Sequence, residues 1–197
     1  MVTGAILAGG RSRRYGRNKA LEVFDGLRLI DRGTASLEPY CAPVFVVAND
    51  LWEYADVQAV LLRDLIAHQG PLGGIATALW FSPHEWVFVK AADMPFLVPE
   101  LLTLMLGAKE GFDAVVPVHR ELYEPLLALY HRRCLPAVNR VLEGPERKVI
   151  AFYRQVKVRF LQEFEWKTVD PKALSFMNAN TPEEMAALEW NWKKHGS

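Results

Sequence analysis

The sequence predicts an α/β fold, a single domain over residues 1–197 built on a mostly parallel sheet covered by helices on both faces. Three observations predict it. Short runs of near-continuous Val, Ile, Leu and Phe alternate with longer segments of helical apolar spacing, as in sheets buried on both faces. No repeat or low-complexity linker divides the 197 residues, a length that suits one sizeable core. A glycine-rich loop or an isolated polar residue stands where the strands end, which is where parallel sheets hold ligands.

Taken in order, "VTGAILA" over 2–8 is the first buried strand, ended by Gly9 and Gly10. "APVFVVAN" over 42–49 is the second, rich in β-branched residues and stopped by Asn49 and Asp50. "VQAVLLRD" is the third and ends at Asp64. "GPLGGIATALWF" over 70–81 opens with Gly-Pro, which suits a helix start, and turns apolar at helical spacing. "EWVFVKAAD" over 85–93 is a strong strand, and Pro99 then opens a helix with Leu101, Leu102 and Met105 on one face. "FDAVVPV" over 112–118 is a further strand. Beyond the apolar segment "EPLLALY" over 124–130, Leu135, Val138 and Leu142 mark a helix that ends at Gly144. A carboxy-terminal helix is expected from Pro182 to about Trp192.

Composition bounds the function. The chain is 51% hydrophobic and 23% charged, as globular proteins are. Lys plus Arg balance Asp plus Glu at 23 each, so the surface as a whole is not built to coat nucleic acid, and any anion site is local. Cys41 and Cys134 have no CxxC or CxxH spacing and are expected to be reduced structural thiols. The start lacks the basic region and long apolar stretch of a signal peptide, and no run approaches the roughly 20 apolar residues that span a bilayer. A cytoplasmic location with no membrane contact is the expectation. His68, His84, His119 and His131 show no metal-ligand spacing, and the tryptophans are taken as packing residues.

The stretch "LAGGRSRRYGRNKAL" over 7–21 sets glycines, four arginines and a lysine directly after the first strand. Glycines let backbone N–H groups approach a phosphate, and Arg14 and Lys19 add fixed positive charge where a triphosphate would lie. It is neither GxxxxGK[ST] nor a GxGxxG that opens a helix. Asn49, Asp64 and Asp93 each stand at the end of a further strand. Each alone is an ordinary turn former, but together they describe one edge of one sheet.

The pattern LAGG-x-S-x-R-x-G-x-x-K-A-L resembles the signature of the nucleotidyltransferases, and within them most closely the molybdenum cofactor guanylyltransferases. "VVAN" at 46–49, "RDLIAHQGPLGGI" at 63–75, "ADMPF" at 92–96 and "NANTPEE" at 178–184 are similar to family stretches in the same order, as are "EPLLALYHRRCLP" and "EGPERKV". Tyr15, where Met or Phe is usual, and Ala92, where Cys is common, depart from the pattern without touching a charged role. The loop from Gly10 to Lys19 is about one residue shorter than in some relatives, which blurs the roles of Arg13 and Arg14.

The resemblance implies a Rossmann-like three-layer fold of the nucleotide-diphospho-sugar transferase type. It implies transfer of GMP from GTP to the phosphate of molybdopterin, with pyrophosphate leaving in line and Mg2+ as cofactor. Leu7, Ala8, Gly9 and Gly10 would line the nucleotide, Lys19 would meet its phosphates, and Asn49 and Asp64 would contact base or ribose. Asp93 would hold the magnesium, with Arg14 and Lys19 opposite. Asn178 or Asn180 would complete the metal or phosphate shell, although Thr181 followed by Glu184 also makes a helix-capping pair. Arg147 with Lys148, or Arg132 with Arg133, would meet the molybdopterin. Transient contacts with other proteins of cofactor biosynthesis or molybdoenzyme maturation follow from the same likeness, and nucleic acid and membrane are not expected as partners. The missing Cβ at Gly9 and the small residues at 70–74 would make room for a purine. The alternatives are the same chemistry with CTP or a sugar-phosphate acceptor, a nucleotide-binding module without turnover, and an adaptor protein.

Overall fold

The computed structural model describes residues 1–8, 18–146, 148–178, 184 and 186–188. Gly9, Gly10, Arg14, Arg147 and Asn180 lie outside the described residues, as does most of the helix expected over 182–192, of which Glu184 and residues 186–188 are helical. The chain runs β1 (Thr3–Leu7), a one-turn helix (Lys19–Leu21), a hairpin of β2 (Val23–Phe24) and β3 (Leu27–Arg28), α1 (Leu29–Leu37) and β4 (Val44–Ala48). It continues with β5 (Val60–Arg63), α2 (Gly70–Phe81), β6 (Trp86–Ala91), α3 (Pro99–Gly107) and β7 (Ala114–His119). Then come β8 (Leu122–Tyr123), β9 (Leu127–His131), α4 (Leu135–Glu143), β10 (Val158–Leu161) and α5 (Glu163–Trp166).

One sheet organises the molecule, in the order β10-β7-β9-β6-β1-β4-β5, with β8 paired to β7. The pairs β10–β7, β6–β1, β1–β4 and β4–β5 are parallel. β9 runs antiparallel to both β6 and β7. This is the mixed, mostly parallel α/β architecture expected. Ile6, Val46, Val87, Phe88 and Val89 are all fully or almost fully buried, which explains why the strands are apolar without alternation. Each such side chain contributes on the order of 1.5–3 kcal/mol by leaving water.

Two cores flank the sheet. Ile6, Ile30, Leu37, Phe88, Leu101 and Met105 pack on one face, under α1 and α3. Ala5, Leu72, Ile75, Leu79, Val87 and Val138 pack on the other, under α2 and α4. The chain therefore leaves β1 through α1 on one face and reaches β6 through α2 on the other. The carboxyl ends of the neighbouring strands β1 and β6 form the topological switch point, the usual ligand crevice of an open α/β sheet. Two glycines bring the helices down on β1: a Cβ at Gly33 of α1 would lie 2.6 Å from Ile6 Cδ1, and one at Gly74 of α2 would lie 3.1 Å from Leu7 Cδ2. At Gly74 the missing Cβ thus serves close contact between α2 and β1.

Several elements differ from expectation. The third strand shortens to β5, a half-exposed edge strand, because residues 57–59 form bends. The β2–β3 hairpin turns through Asp25 and Gly26, both at positive φ, the Asp-Gly signal of a tight hairpin. β10 pairs with β7 at the far edge. The segment 124–130 contributes β9, the antiparallel strand; its apolar run fits a central strand of either direction.

Candidate active site

Lys19 and Asp93 meet at the switch point, with Nζ 2.7 Å from Oδ2. Their sequence separation is closed by the two central strands. Asp93 sits in the turn beyond β6, where Ala92 N donates to Leu7 O at 3.1 Å and Met94 N to Ala91 O at 3.3 Å. Lys19 begins the one-turn helix, which Asn18 caps by accepting from Ala20 N at 3.1 Å. The Lys19 side chain is only 8% exposed and that of Asp93 29%, so the pair is partly withdrawn from water and its charges are weakly screened.

Sequence reasoning missed the clasp beside this pair. Asn18 Nδ2 donates to Tyr54 OH at 2.7 Å and to Glu53 Oε2 at 2.7 Å, and Tyr54 OH donates to Ala8 O at 3.1 Å. Ala8 and Asn18 flank the basic glycine-rich segment, so Tyr54 ties its two ends together. Asn18 follows Arg17 in the opening motif, but nothing in sequence marks a partner 36 residues away.

Asn49 and Asp64, at the ends of β4 and β5, also come together. Asn49 Nδ2 donates to Asp64 Oδ2 at 3.1 Å, and His68 N lies 3.4 Å from Asn49 Oδ1. Asp64 is buried, and its Oδ1 has no hydrogen-bond partner among the described residues. Burial pushes this carboxyl up, and the hydrogen bond from Asn49 pulls it back. A buried acceptor left without a donor costs about 1–3 kcal/mol. Leu7 and Ala8, half-buried at the end of β1, lie between the two pairs through the hydrogen bonds of Ala92 to Leu7 and of Ala8 to Val47.

Lys148 lies farther along the same edge, in an open groove of about 630 Å³. Tyr123, Tyr153, Phe160, Arg154 and Glu146 share its lining. The Tyr123 and Phe160 rings stack with centroids 4.5 Å apart. β7 stands two strands from β6 and β10 three, so the strands that line the groove lie about 10–15 Å along the sheet from the strand that leads to Asp93. Arg132 and Arg133 do not belong here. β9 is antiparallel, so its carboxyl end lies at the opposite edge of the sheet, where Arg132 bonds the Ser82 carbonyl and Arg133 pairs with Asp113 at 3.0 Å. Asn178 is exposed, and no contact of its side chain to Asp93 is seen.

Glu124, between β8 and β9, was not singled out in sequence. Its carboxyl has no hydrogen-bond partner among the described residues, and burial pushes it up to about 7. A carboxyl raised in the folded state favours folding fully below its ordinary value and loses that contribution as pH rises through about 7. Glu124→Gln is therefore expected to raise the melting temperature more at pH 8 than at pH 5. Equal shifts at the two pH values would show that the carboxyl is solvated.

Among the described residues no three His, Cys, Asp or Glu side chains group as a metal cage, and no helix is long and apolar enough to cross a membrane. Both cysteines are free and buried.

Known proteins are similar to this chain in sequence and in fold. The model of the MobA-like NTP transferase domain matches residues 4–158. The chain is 40% identical over 190 residues to the molybdenum cofactor guanylyltransferase of Desulfosudis oleivorans, covering 95% of this chain and 94% of that one. It is 37% identical to the probable molybdenum cofactor guanylyltransferase of Pelotomaculum thermopropionicum, over 93% and 90% of the two chains. The crystal structure of molybdopterin-guanine dinucleotide biosynthesis protein A from Archaeoglobus fulgidus superposes with a TM-score of 0.85 at 29% identity, covering 98% of this chain and all of that one.

Proposed function

We propose the activity of this chain from its family: it belongs to the MobA-like NTP transferases, and within them it acts as a molybdenum cofactor guanylyltransferase. It transfers GMP from GTP to the terminal phosphate of molybdopterin, giving molybdopterin guanine dinucleotide and pyrophosphate. Residues 1–197 work as one nucleotidyltransferase domain in the cytoplasm. The observation that carries the reading is the Lys19–Asp93 pair at the β1–β6 switch point, one cation and one carboxylate 2.7 Å apart.

The residues present fit a magnesium ion. Asp93 Oδ2 is taken by Lys19, and Oδ1 has no hydrogen-bond partner among the described residues. Mg2+ is ordinarily held by one or two carboxylates together with substrate phosphates and water, so a three-ligand cage is not required. Asp93 would hold it, and the bound ion would supply charge neutralisation at the transferring phosphorus.

The chain's own part is binding and orientation. A phosphate monoester is already an ionised nucleophile, so the protein has to bring two polyanions together and hold them in line. Lys19 meets the nucleotide phosphates, with Gly9, Gly10 and Arg14 of the preceding segment. The ends of β1, at Leu7 and Ala8, carry the nucleoside toward Asn49 and Asp64. Lys148, with Arg147 beside it in sequence, faces the molybdopterin from the groove. Asn178 or Asn180 completes the metal or phosphate shell.

Incubation of the protein with Mg2+, molybdopterin and each nucleoside triphosphate in turn tests the proposal. Pyrophosphate release with GTP, and little with CTP or ATP, is the expected result. Equal turnover with CTP, or turnover only when a sugar phosphate replaces molybdopterin, would favour the alternatives.

A further inference from the structure

Lys90 is fully buried in β6, in a strand otherwise made of Trp86, Val87, Phe88, Val89 and Ala91. Its Nζ donates to the carbonyl of Met94. The amide of Met94 donates back to Ala91 O, so the turn that carries Asp93 is held from both sides of one residue. Gly33 of α1 lies beside the amine: a Cβ there would be in van der Waals contact with Nζ, at 3.9 Å. Burial brings Lys90 down to about 7; Asp93 favours its charge, and Arg32, across α1, opposes it.

A methionine would fill the same volume without desolvating an amine, whose burial costs several kcal/mol. What it could not do is donate to the Met94 carbonyl. We infer that Lys90 is a positioning residue that fixes the turn from Ala91 to Met94 and so sets the direction in which Asp93 presents its carboxylate. The inference rests on the proposed role of Asp93 as the metal ligand.

The test compares Lys90→Met, which removes the donor at nearly the same volume, with Lys90→Gln, which is as long as methionine, one atom shorter than lysine, and restores an N–H donor. Binding of Mn2+ to the GTP complex is read from its EPR signal, alongside kcat and the Kd of GTP without metal. Lys90→Met is expected to weaken Mn2+ at least fivefold and lower kcat at least tenfold, with the metal-free Kd of GTP within twofold of wild type. Lys90→Gln should recover part of both losses. Wild-type metal affinity and kcat in Lys90→Met overturn the inference, as does loss of metal and GTP binding in parallel, which marks a general packing defect. The 13Cε resonance of Lys90 in lysine-labelled wild-type protein gives a measure that needs no variant to fold. It should shift when Mg2+ joins the GTP complex, and an unmoved resonance overturns the inference. Asp93→Asn separates the two claims: if it binds Mn2+ as wild type does, the metal assignment falls and Lys90 with it. If only Asp93→Asn loses Mn2+, Lys90 alone is wrong.

Discussion

Asp93→Asn is expected to lower guanylyl transfer by roughly 10²- to 10³-fold, about 2.7–4 kcal/mol of barrier, while the protein still folds. Asn keeps the volume and an oxygen that can accept from Lys19, but it removes the charge that a divalent ion requires. The fold should tolerate the change because Asp93 lies in a turn beyond β6 with its side chain 29% exposed. The cost to stability arises mainly at Lys19, whose side chain is only 8% exposed and loses its counter-charge. Pyrophosphate release and a thermal melt, measured on the same preparation, separate the two effects. Near-wild-type turnover at ordinary magnesium concentrations would remove Asp93 from the metal site, and a collapsed melt would assign it a structural duty.

Much of this edge was legible in the sequence because a parallel sheet turns position in the chain into position in space. An apolar strand followed by an isolated Asn or Asp puts that residue on the carboxyl edge, and Asn49, Asp64 and Asp93 all arrive there. What was not legible depends on strand direction and on distant partners. The run "EPLLALYHRR" says buried strand but not antiparallel strand, and the direction of β9 decides that Arg132 and Arg133 end far from the groove. Tyr54, between two strands, becomes a clasp on the two ends of the glycine-rich segment only through Asn18 and Ala8. Lys90 stood in plain view as a charged residue inside "EWVFVKAAD", at a place where central strands are apolar. The signal was the mismatch between that lysine and its neighbours. The Asp25-Gly26 turn was likewise available as a hairpin signal.

The second large effect concerns the choice of base. Asp64 is buried, its Oδ2 is engaged by Asn49, and its Oδ1 has no partner among the described residues. Guanine presents an N1–H and a 2-amino group side by side, two donors that a carboxylate accepts together. Adenine and cytosine each place a bare ring nitrogen where guanine has its N1–H, so they would set a lone pair against a buried carboxylate. Such a mismatch discriminates far more strongly than shape does, by about 10⁴-fold or more where buried polar groups are left unpaired. With Asp64 facing the base, Asp64→Asn should lower kcat/KM for GTP at least about 100-fold, an effect of about 2.7 kcal/mol. It should lower ATP and CTP turnover much less, so that the preference narrows. Inosine triphosphate, which keeps the N1–H and lacks the 2-amino group, should fall between GTP and ATP with the wild-type protein. If Asp64 instead holds the ribose, the variant loses GTP, inosine triphosphate and ATP turnover in the same proportion, and the wild-type preference for GTP survives. Measuring kcat/KM for the four nucleotides in both proteins decides it, and a proportional loss would return base recognition to Asn49 or to the backbone at the end of β1.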